Sequence, residues 1–121
     1  MTGYNNENAS LMEDAQKLAK RFKDSALYRD YLQYKNAIAA DPDLLSKVQA
    51  YKKSSLELET KRLRDGTVAF DEEKRMSYKY TELSLHPEAR AFLDCEYELL
   101  LLYRQSLDII CEACQIDFDH L

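Results

Sequence analysis

The scarcity of glycine and proline limits what this chain can fold into more than any other feature. Its 121 residues include only two glycines and two prolines. The tight turns of β-hairpins depend on such residues, so a sheet would have almost nothing from which to build its connections. Hydrophobic residues make up 45% of the chain and charged residues 32%, a balance that suits amphipathic helices with a solvated outer face. We therefore predict an all-α fold.

Length and net charge narrow the class of protein further. A chain of 121 residues is typical of one domain. Its net charge of −5 provides no basic field of the kind that nucleic-acid phosphates attract, so we expect no direct nucleic-acid binding. Residues 1–10 lack the pattern of a signal peptide, and the longest apolar run, 99–103, is far shorter than the ~20 residues that span a bilayer. We predict a cytoplasmic protein without membrane contact.

A capping motif marks the first helix. Ser10 and Glu13 have the spacing of a capping box, in which each side chain bonds to the other residue's backbone amide, so we predict that helix one begins at Ser10. Residues 1–9 are then a flexible segment. Apolar residues follow at intervals of four, three and four, which places them on one helical face. These residues are Leu11, Ala15, Leu18 and Phe22.

Proline, aspartate and glycine mark the next boundaries. Asp41 is a favourable N-cap, and Pro42 has the fixed φ that suits the first helical position. The third helix is therefore predicted to begin at Pro42 and to run to about Asp65. Gly66 is the expected left-handed residue after the helix. Asp71 opens a fourth helix, because carboxylates in the first turn complement the helix dipole. With the second helix before Asp41, this makes four helices up to His86.

The fifth helix is predicted to run from Pro87 towards Ile116, with 10–116 forming a single helical domain and 117–121 a flexible tail. About 30 residues make a rod of roughly 45 Å, much longer than the ~13 Å radius of gyration of a compact 100-residue domain. Its apolar residues are too extensive for this chain alone to cover. We predict an antiparallel bundle of about five helices that forms a homo-oligomer, most simply a two-fold homodimer. The predicted interface residues are Phe92, Leu93, Tyr97, Leu99, Leu100, Tyr103, Leu107 and Ile110.

Three segments together resemble the YlbF/YmcA family of small helical bacterial regulators, the control-of-competence regulators. They are a tyrosine-rich stretch, 27–31, that leads into Asp41-Pro42, then the Gly66 turn, and finally 86–96, which opens a long leucine-rich helix. The resemblance covers about residues 11–114. In the last segment His86 stands where asparagine is usual, Phe92 replaces tyrosine and Cys95 replaces alanine.

The resemblance implies a function. It implies an all-helical, oligomeric adaptor or regulator without enzymatic activity, acting through protein–protein contacts in competence, sporulation, biofilm formation or RNA processing. The partners would be a second copy, paralogous chains or other regulatory proteins. The residues agree, since the sequence has no Ser/His/Asp grouping, no glycine-rich phosphate loop and no Glu-x-x-His motif of the kind that di-iron bundles use. We therefore predict that the protein is not an enzyme.

Three cysteines leave open an alternative function that depends on a bound metal. Cys111 and Cys114 form a CxxC motif, with Cys95 about four turns earlier. One CxxC supplies only two of the four ligands that zinc needs, and His120 could add a third. The resemblance implies another arrangement, an iron–sulfur cluster shared between subunits, which would make the protein a metal-linked sensor with partner-supplied ligands. Free cysteines also act as small hydrophobic residues, and on that interpretation we expect no metal and no cofactor.

Overall fold

The computed structural model describes residues 2–115, and over that range its regular structure is entirely helical, with five helices. The all-α prediction is therefore confirmed, while the antiparallel bundle, the oligomeric state and the domain limits stay predictions. Residues 116–121, which include the predicted tail and His120, lie outside the described part. None of the five helices is long and apolar enough to cross a bilayer. The helices are α1 (Thr2–Lys23), α2 (Ala26–Ala39), α3 (Pro42–Asp65), α4 (Phe70–Leu83) and α5 (Pro87–Cys114).

The helix α1 begins at Thr2, well before the start that the capping box predicted at Ser10. Ser10 and Glu13 are exposed residues inside the helix, where their side chains face water instead of capping a terminus. The segment before them contains no proline, so nothing local forces the helix to stop. The predicted helix start is wrong for this reason, whereas the flexibility of residues 1–9 stays a prediction.

The boundaries of α3 follow the predicted capping pattern. The carboxylate of Asp41 accepts a hydrogen bond from the Leu44 amide at 3.2 Å, and Pro42 occupies the first turn. At the other end, Gly66 has φ of 79° and its N–H donates to the Arg62 carbonyl at 2.8 Å. Only glycine adopts this left-handed conformation without steric cost, so the two ends of α3 are fixed by local chemistry.

Replacing Gly66 with alanine should lower the free energy of unfolding by about 1–2 kcal/mol, because an L-residue is strained at positive φ. A Cβ at Gly66 would meet nothing within 4 Å, so the loss would come from the backbone alone. Gly3→Ala is the matched control, since Gly3 is helical and its Cβ would also meet nothing. Urea denaturation checks both, and a Gly66→Ala protein as stable as the Gly3→Ala protein would contradict the cap.

A small core forms where the end of α2, the start of α3, the end of α4 and the start of α5 meet. The aromatic rings of Tyr31 and Phe92 stack with centroids 5.4 Å apart. The ammonium group of Lys52 lies 5.6 Å from the Phe92 ring and bonds to Glu96 at 2.7 Å, which closes the edge of the core. Helix α1 contributes no buried residue among those described. The buried core residues are Ile38, Leu44, Val48, Leu83, Ala89 and Phe92.

Ion pairs join α3 to α4 beside the Gly66 turn. Lys61 bonds to Glu72 at 2.6 Å, and Arg62 bonds to Glu73 at 2.9 Å. Such partly exposed pairs each contribute less than about 1 kcal/mol, but they direct the basic residues of α3 towards carboxylates. Lys61 and Arg62 therefore do not form a free basic patch on α3, because each is paired with a carboxylate of α4.

Candidate interaction surface on the last helix

The last helix changes from buried to exposed along its length. At its start, Ala89 and Phe92 are buried and Leu93 packs against them. From Tyr97 onward, eight large apolar or aromatic side chains are between 42% and 68% exposed. We call this set the open surface of α5. It consists of Tyr97, Leu100, Leu101, Leu102, Tyr103, Leu107, Ile109 and Ile110.

Helix lengths explain why the open surface exists. Helix α5 packs most extensively on α2, but α2 has 14 residues and α5 has 28. At 1.5 Å per residue these are rods of about 21 Å and about 42 Å, so α2 can cover only half of α5. Tyr103 and Ile110 share the helical side of buried Phe92 at intervals of eleven and seven residues. The face that is buried at the start of α5 therefore continues as an exposed apolar face.

The open surface is wider than one partner helix needs. Leu100, Tyr103, Leu107, Ile110 and Cys114 follow one another at intervals of three and four residues, which is the spacing of a coiled-coil seam. Further apolar residues flank this row. A two-stranded seam occupies a narrow stripe, whereas a broader apolar face requires contact with more than one helix. The flanking apolar residues are Leu102 and Ile109 on one side and Tyr97 and Cys111 on the other.

The exposed area is large for a chain that is alone in solution. Eight such half-exposed side chains present on the order of 800 Å², which is about what each partner buries in a standard protein–protein interface. The largest apolar patch of a typical monomer is about 300–600 Å². The open surface thus has the size of an interface.

The predicted interface residues divide into two groups. Phe92 is 6% exposed and belongs to the core of its own chain, because Tyr31 of α2 covers its ring. Leu93 packs against that core, and Leu99 is half-buried. The other five lie on the open surface and are Tyr97, Leu100, Tyr103, Leu107 and Ile110. Leu101, Leu102 and Ile109 of the open surface are not among the predicted residues, and the unbroken hydrophobicity of 99–103 pointed only to the first two.

An open cleft of about 850 Å³ lies at the beginning of the open surface, between α3, α4 and α5. Leu56, Leu93, Tyr97 and Leu100 form much of its apolar wall. The Tyr80 hydroxyl donates to Asp94 across the cleft at 3.4 Å. The neighbouring rings of Tyr51 and Tyr80 lie 6.0 Å apart. Burial raises the pKa of Tyr51, and Tyr80 raises it further, so the Tyr51 phenol is neutral at physiological pH.

The three cysteines do not form one ligand set within this chain. Cys95 and Cys111 are half-buried and Cys114 is exposed. Sixteen residues separate Cys95 from Cys111, which along one helix is about 24 Å and far beyond the reach of a single ion. Among the described residues no group of three or more His, Cys, Asp or Glu side chains lies close enough to hold a metal. A cluster with partner-supplied ligands, the sensor alternative, stays a prediction.

Cys95 should be a slow nucleophile. Partial burial raises the pKa of its thiol, and the nearby carboxylates of Asp30, Glu98 and Asp94 raise it further. Because only the thiolate reacts, a raised pKa lowers the reactive fraction at a given pH. With Cys111→Ser and Cys114→Ser, the remaining thiol should react with an aromatic disulfide reagent several-fold more slowly in the folded protein than in urea at pH 8. Equal reaction rates in the folded and unfolded protein would contradict a raised pKa of the Cys95 thiol.

The fold and the exposed residues define a class of protein, a small helical protein whose last helix carries large exposed apolar side chains over its second half. The chain belongs to the YlbF/YmcA family, since the family model described as control of competence regulator ComK, YlbF/YmcA, matches residues 11–114. This match confirms the resemblance inferred from the tyrosine-rich segment, the Gly66 turn and the His86-Pro87 segment. It also confirms the range of residues, about 11–114, that the resemblance was expected to cover.

Similar proteins come from three bacteria. The chain is 28% identical to an UPF0342 protein of Desulfitobacterium hafniense over 86% of this chain and 84% of the relative. It is 30% identical to an UPF0342 protein of Caldicellulosiruptor saccharolyticus over 84% and 85%, respectively. An UPF0342 protein of Halothermothrix orenii is 26% identical over 88% of this chain and 91% of the relative. No solved structure matches the chain significantly.

Proposed function

We propose that this protein is a non-enzymatic, oligomeric adaptor of bacterial regulation that acts through protein–protein contacts. The observation that carries the proposal is the open surface of α5, where eight large side chains remain at least 42% exposed. No other stretch of the described helices has as many consecutive exposed apolar residues as Leu100 to Tyr103. A partner chain is the simplest cover for it.

The energy of burying this surface favours association. At about 25 cal/mol per Å², covering ~800 Å² yields on the order of 20 kcal/mol per chain before the costs of association are subtracted. Those costs offset much of this gain, so the buried area favours association but does not by itself set the affinity. A homodimer is the simplest such assembly, because a two-fold axis lets one surface serve both partners.

The regulatory part of the proposal is supported by the family match, whose printed description is control of competence. The open surface offers apolar contact, and the described residues bring together no group of three or more metal ligands. We infer an adaptor in the cytoplasm, in competence or in the related processes of sporulation, biofilm formation or RNA processing. Its partners are further copies, paralogous chains or other regulators.

The function is tested by comparing two folded forms of the full chain in its native host. The wild-type protein and a variant with Leu100→Asp and Leu107→Asp are each expressed from the chromosome. The chains bound to each are identified. The complexes are then reconstituted from purified proteins. The proposal expects at least one purified partner to bind wild type and to bind the variant at least tenfold more weakly. Deletion of the gene should cause a defect in the host. A variant that still binds every partner and still prevents that defect would overturn the proposal.

A further inference from the structure

The second half of α5 has almost no support from the rest of its own chain. Every residue from Leu101 to Cys114 is exposed except Ser106 and Cys111, which are half-buried. Among the described residues, no ion pair and no side-chain hydrogen bond joins this stretch to another helix. The Ser106 hydroxyl donates to the Leu102 carbonyl of its own helix at 2.9 Å. We call residues 101–114 the distal segment of α5, and its helix depends on its own backbone hydrogen bonds.

The distal segment ends without the features that stabilise the end of α3. Gln115 follows it at φ of 57°, a left-handed conformation that is strained for a residue with a Cβ. The corresponding residue after α3 is Gly66. The last turn of α3 contains Arg62 and Arg64, whereas the last turn of α5 contains no basic residue. Glu112 instead places a negative charge near the negative end of the helix dipole.

The residues inside the distal segment also add little helical stability. Asp108 and Glu112 are four residues apart, where two like charges destabilise a helix. Ile109 and Ile110 are β-branched and favour helix less than leucine or alanine does. A helix that extends from a folded end gains little free energy per residue, since the propagation constant of good helix formers is only about 1–1.6 even near 0 °C. Without tertiary contacts, the distal segment therefore has no strong reason to stay closed.

We propose that the distal segment opens and re-forms independently of the core in the single chain, and that burial of the open surface makes it a persistent helix. The start of α5, where Ala89 and Phe92 are buried, stays folded while the distal segment fluctuates. Association through the open surface is thereby coupled to folding, and the cost of ordering the segment lowers the affinity for a given buried area. The opening is a property of the single chain, so it is tested separately from the proposed self-association.

Amide hydrogen exchange compares the two parts of α5 within one molecule. Leu100→Asp provides a chain with an unchanged distal segment and weakened association, and it is studied at a concentration where light scattering gives the mass of one chain. We expect the amides of 105–114 to exchange within about tenfold of the unfolded rate. Those of 91–96 should exchange at least ~1000-fold more slowly than the unfolded rate, because they open only with the core. Equal protection of the two stretches would overturn the inference.

The same measurement on the wild-type chain tests the link to burial. At concentrations where the wild-type protein is a dimer, the protection of 105–114 should rise at least tenfold above that of the separated chain. A dimer in which 105–114 exchanges as fast as in the separated chain would overturn the link. A wild-type protein that is always monomeric, with 105–114 unprotected, would overturn the proposed self-association and would support the independent opening.

One substitution made at two positions provides a matched pair of variants. In the Leu100→Asp background, Gln115→Gly relieves the left-handed strain, whereas Gln105→Gly weakens an exposed position inside the helix. The ratio of open to helical distal segment, measured from ¹³Cα chemical shifts, should fall about two- to fivefold with Gln115→Gly and rise about two- to fivefold with Gln105→Gly. Neither variant should change the urea midpoint. A lower midpoint for Gln105→Gly would show that the segment unfolds with the core and would overturn the proposal.

Discussion

Replacing Phe92 with alanine is expected to lower the free energy of unfolding by about 3–5 kcal/mol. The side chain is 6% exposed, and its ring stacks on Tyr31 at 5.4 Å with the Lys52 ammonium group 5.6 Å from the ring centroid. Truncation removes buried area and leaves a cavity that the short helix α2 cannot easily close. Because small domains are stable by only about 5–15 kcal/mol, this loss brings the chain close to unfolding.

Urea denaturation at one fixed protein concentration measures this effect, since association would otherwise shift the midpoint. Leu63→Ala is the control, because Leu63 is a large side chain that is 80% exposed on α3, and it should change stability by less than about 0.5 kcal/mol. A Phe92→Ala protein that loses no more than the control would show that Phe92 does not belong to the core. The experiment therefore separates the core part of α5 from its open surface.

Replacing Leu100 and Leu107 with aspartate is expected to raise the dissociation constant of the dimer at least ~100-fold. The two residues are 61% and 46% exposed and lie seven residues apart in the same row of the open surface. In a dimer they would lie in the centre of the contact, where an unpaired carboxylate is costly and a central residue contributes about 2 kcal/mol or more. Neither residue belongs to the core, so the helical content of the separated chains should be unchanged.

The matched control places the same charges on exposed leucines elsewhere. Leu63 and Leu85 are 80% and 78% exposed and lie outside the open surface, so Leu63→Asp with Leu85→Asp should leave the dissociation constant within about threefold of wild type, because peripheral residues contribute little. Sedimentation velocity over a dilution series measures both pairs. Equal weakening by the two pairs would mean that net charge, and not the open surface, determines association.

The helix boundaries that the sequence predicted well are those set by short-range chemistry. Asp41, Pro42 and Gly66 each act on backbone groups within four residues, so their effect does not depend on the rest of the fold. The predicted start of α1 was wrong for a related reason. Ser10 and Glu13 are compatible with a helix start and equally with an exposed position inside a helix, and a local pattern does not distinguish the two.

The division of α5 into a covered and an open part was beyond sequence reasoning. Phe92 and Tyr103 occupy the same helical side, and periodicity assigns them the same role. One is buried and the other is 65% exposed, because α2 reaches the first and not the second. That difference depends on the relative position of two helices. The width of the surface was also underestimated, since Leu101, Leu102 and Ile109 do not share a helical face with the row from Leu100 to Ile110.

We propose that a second chain covers the open surface of α5 in solution. Multi-angle light scattering of the purified wild-type protein, eluted at low micromolar to high micromolar concentrations, tests it most directly. We expect a mass of twice the 14.2 kDa of one chain at the higher concentrations, with dissociation only on dilution. A mass of 14.2 kDa at every concentration would contradict it.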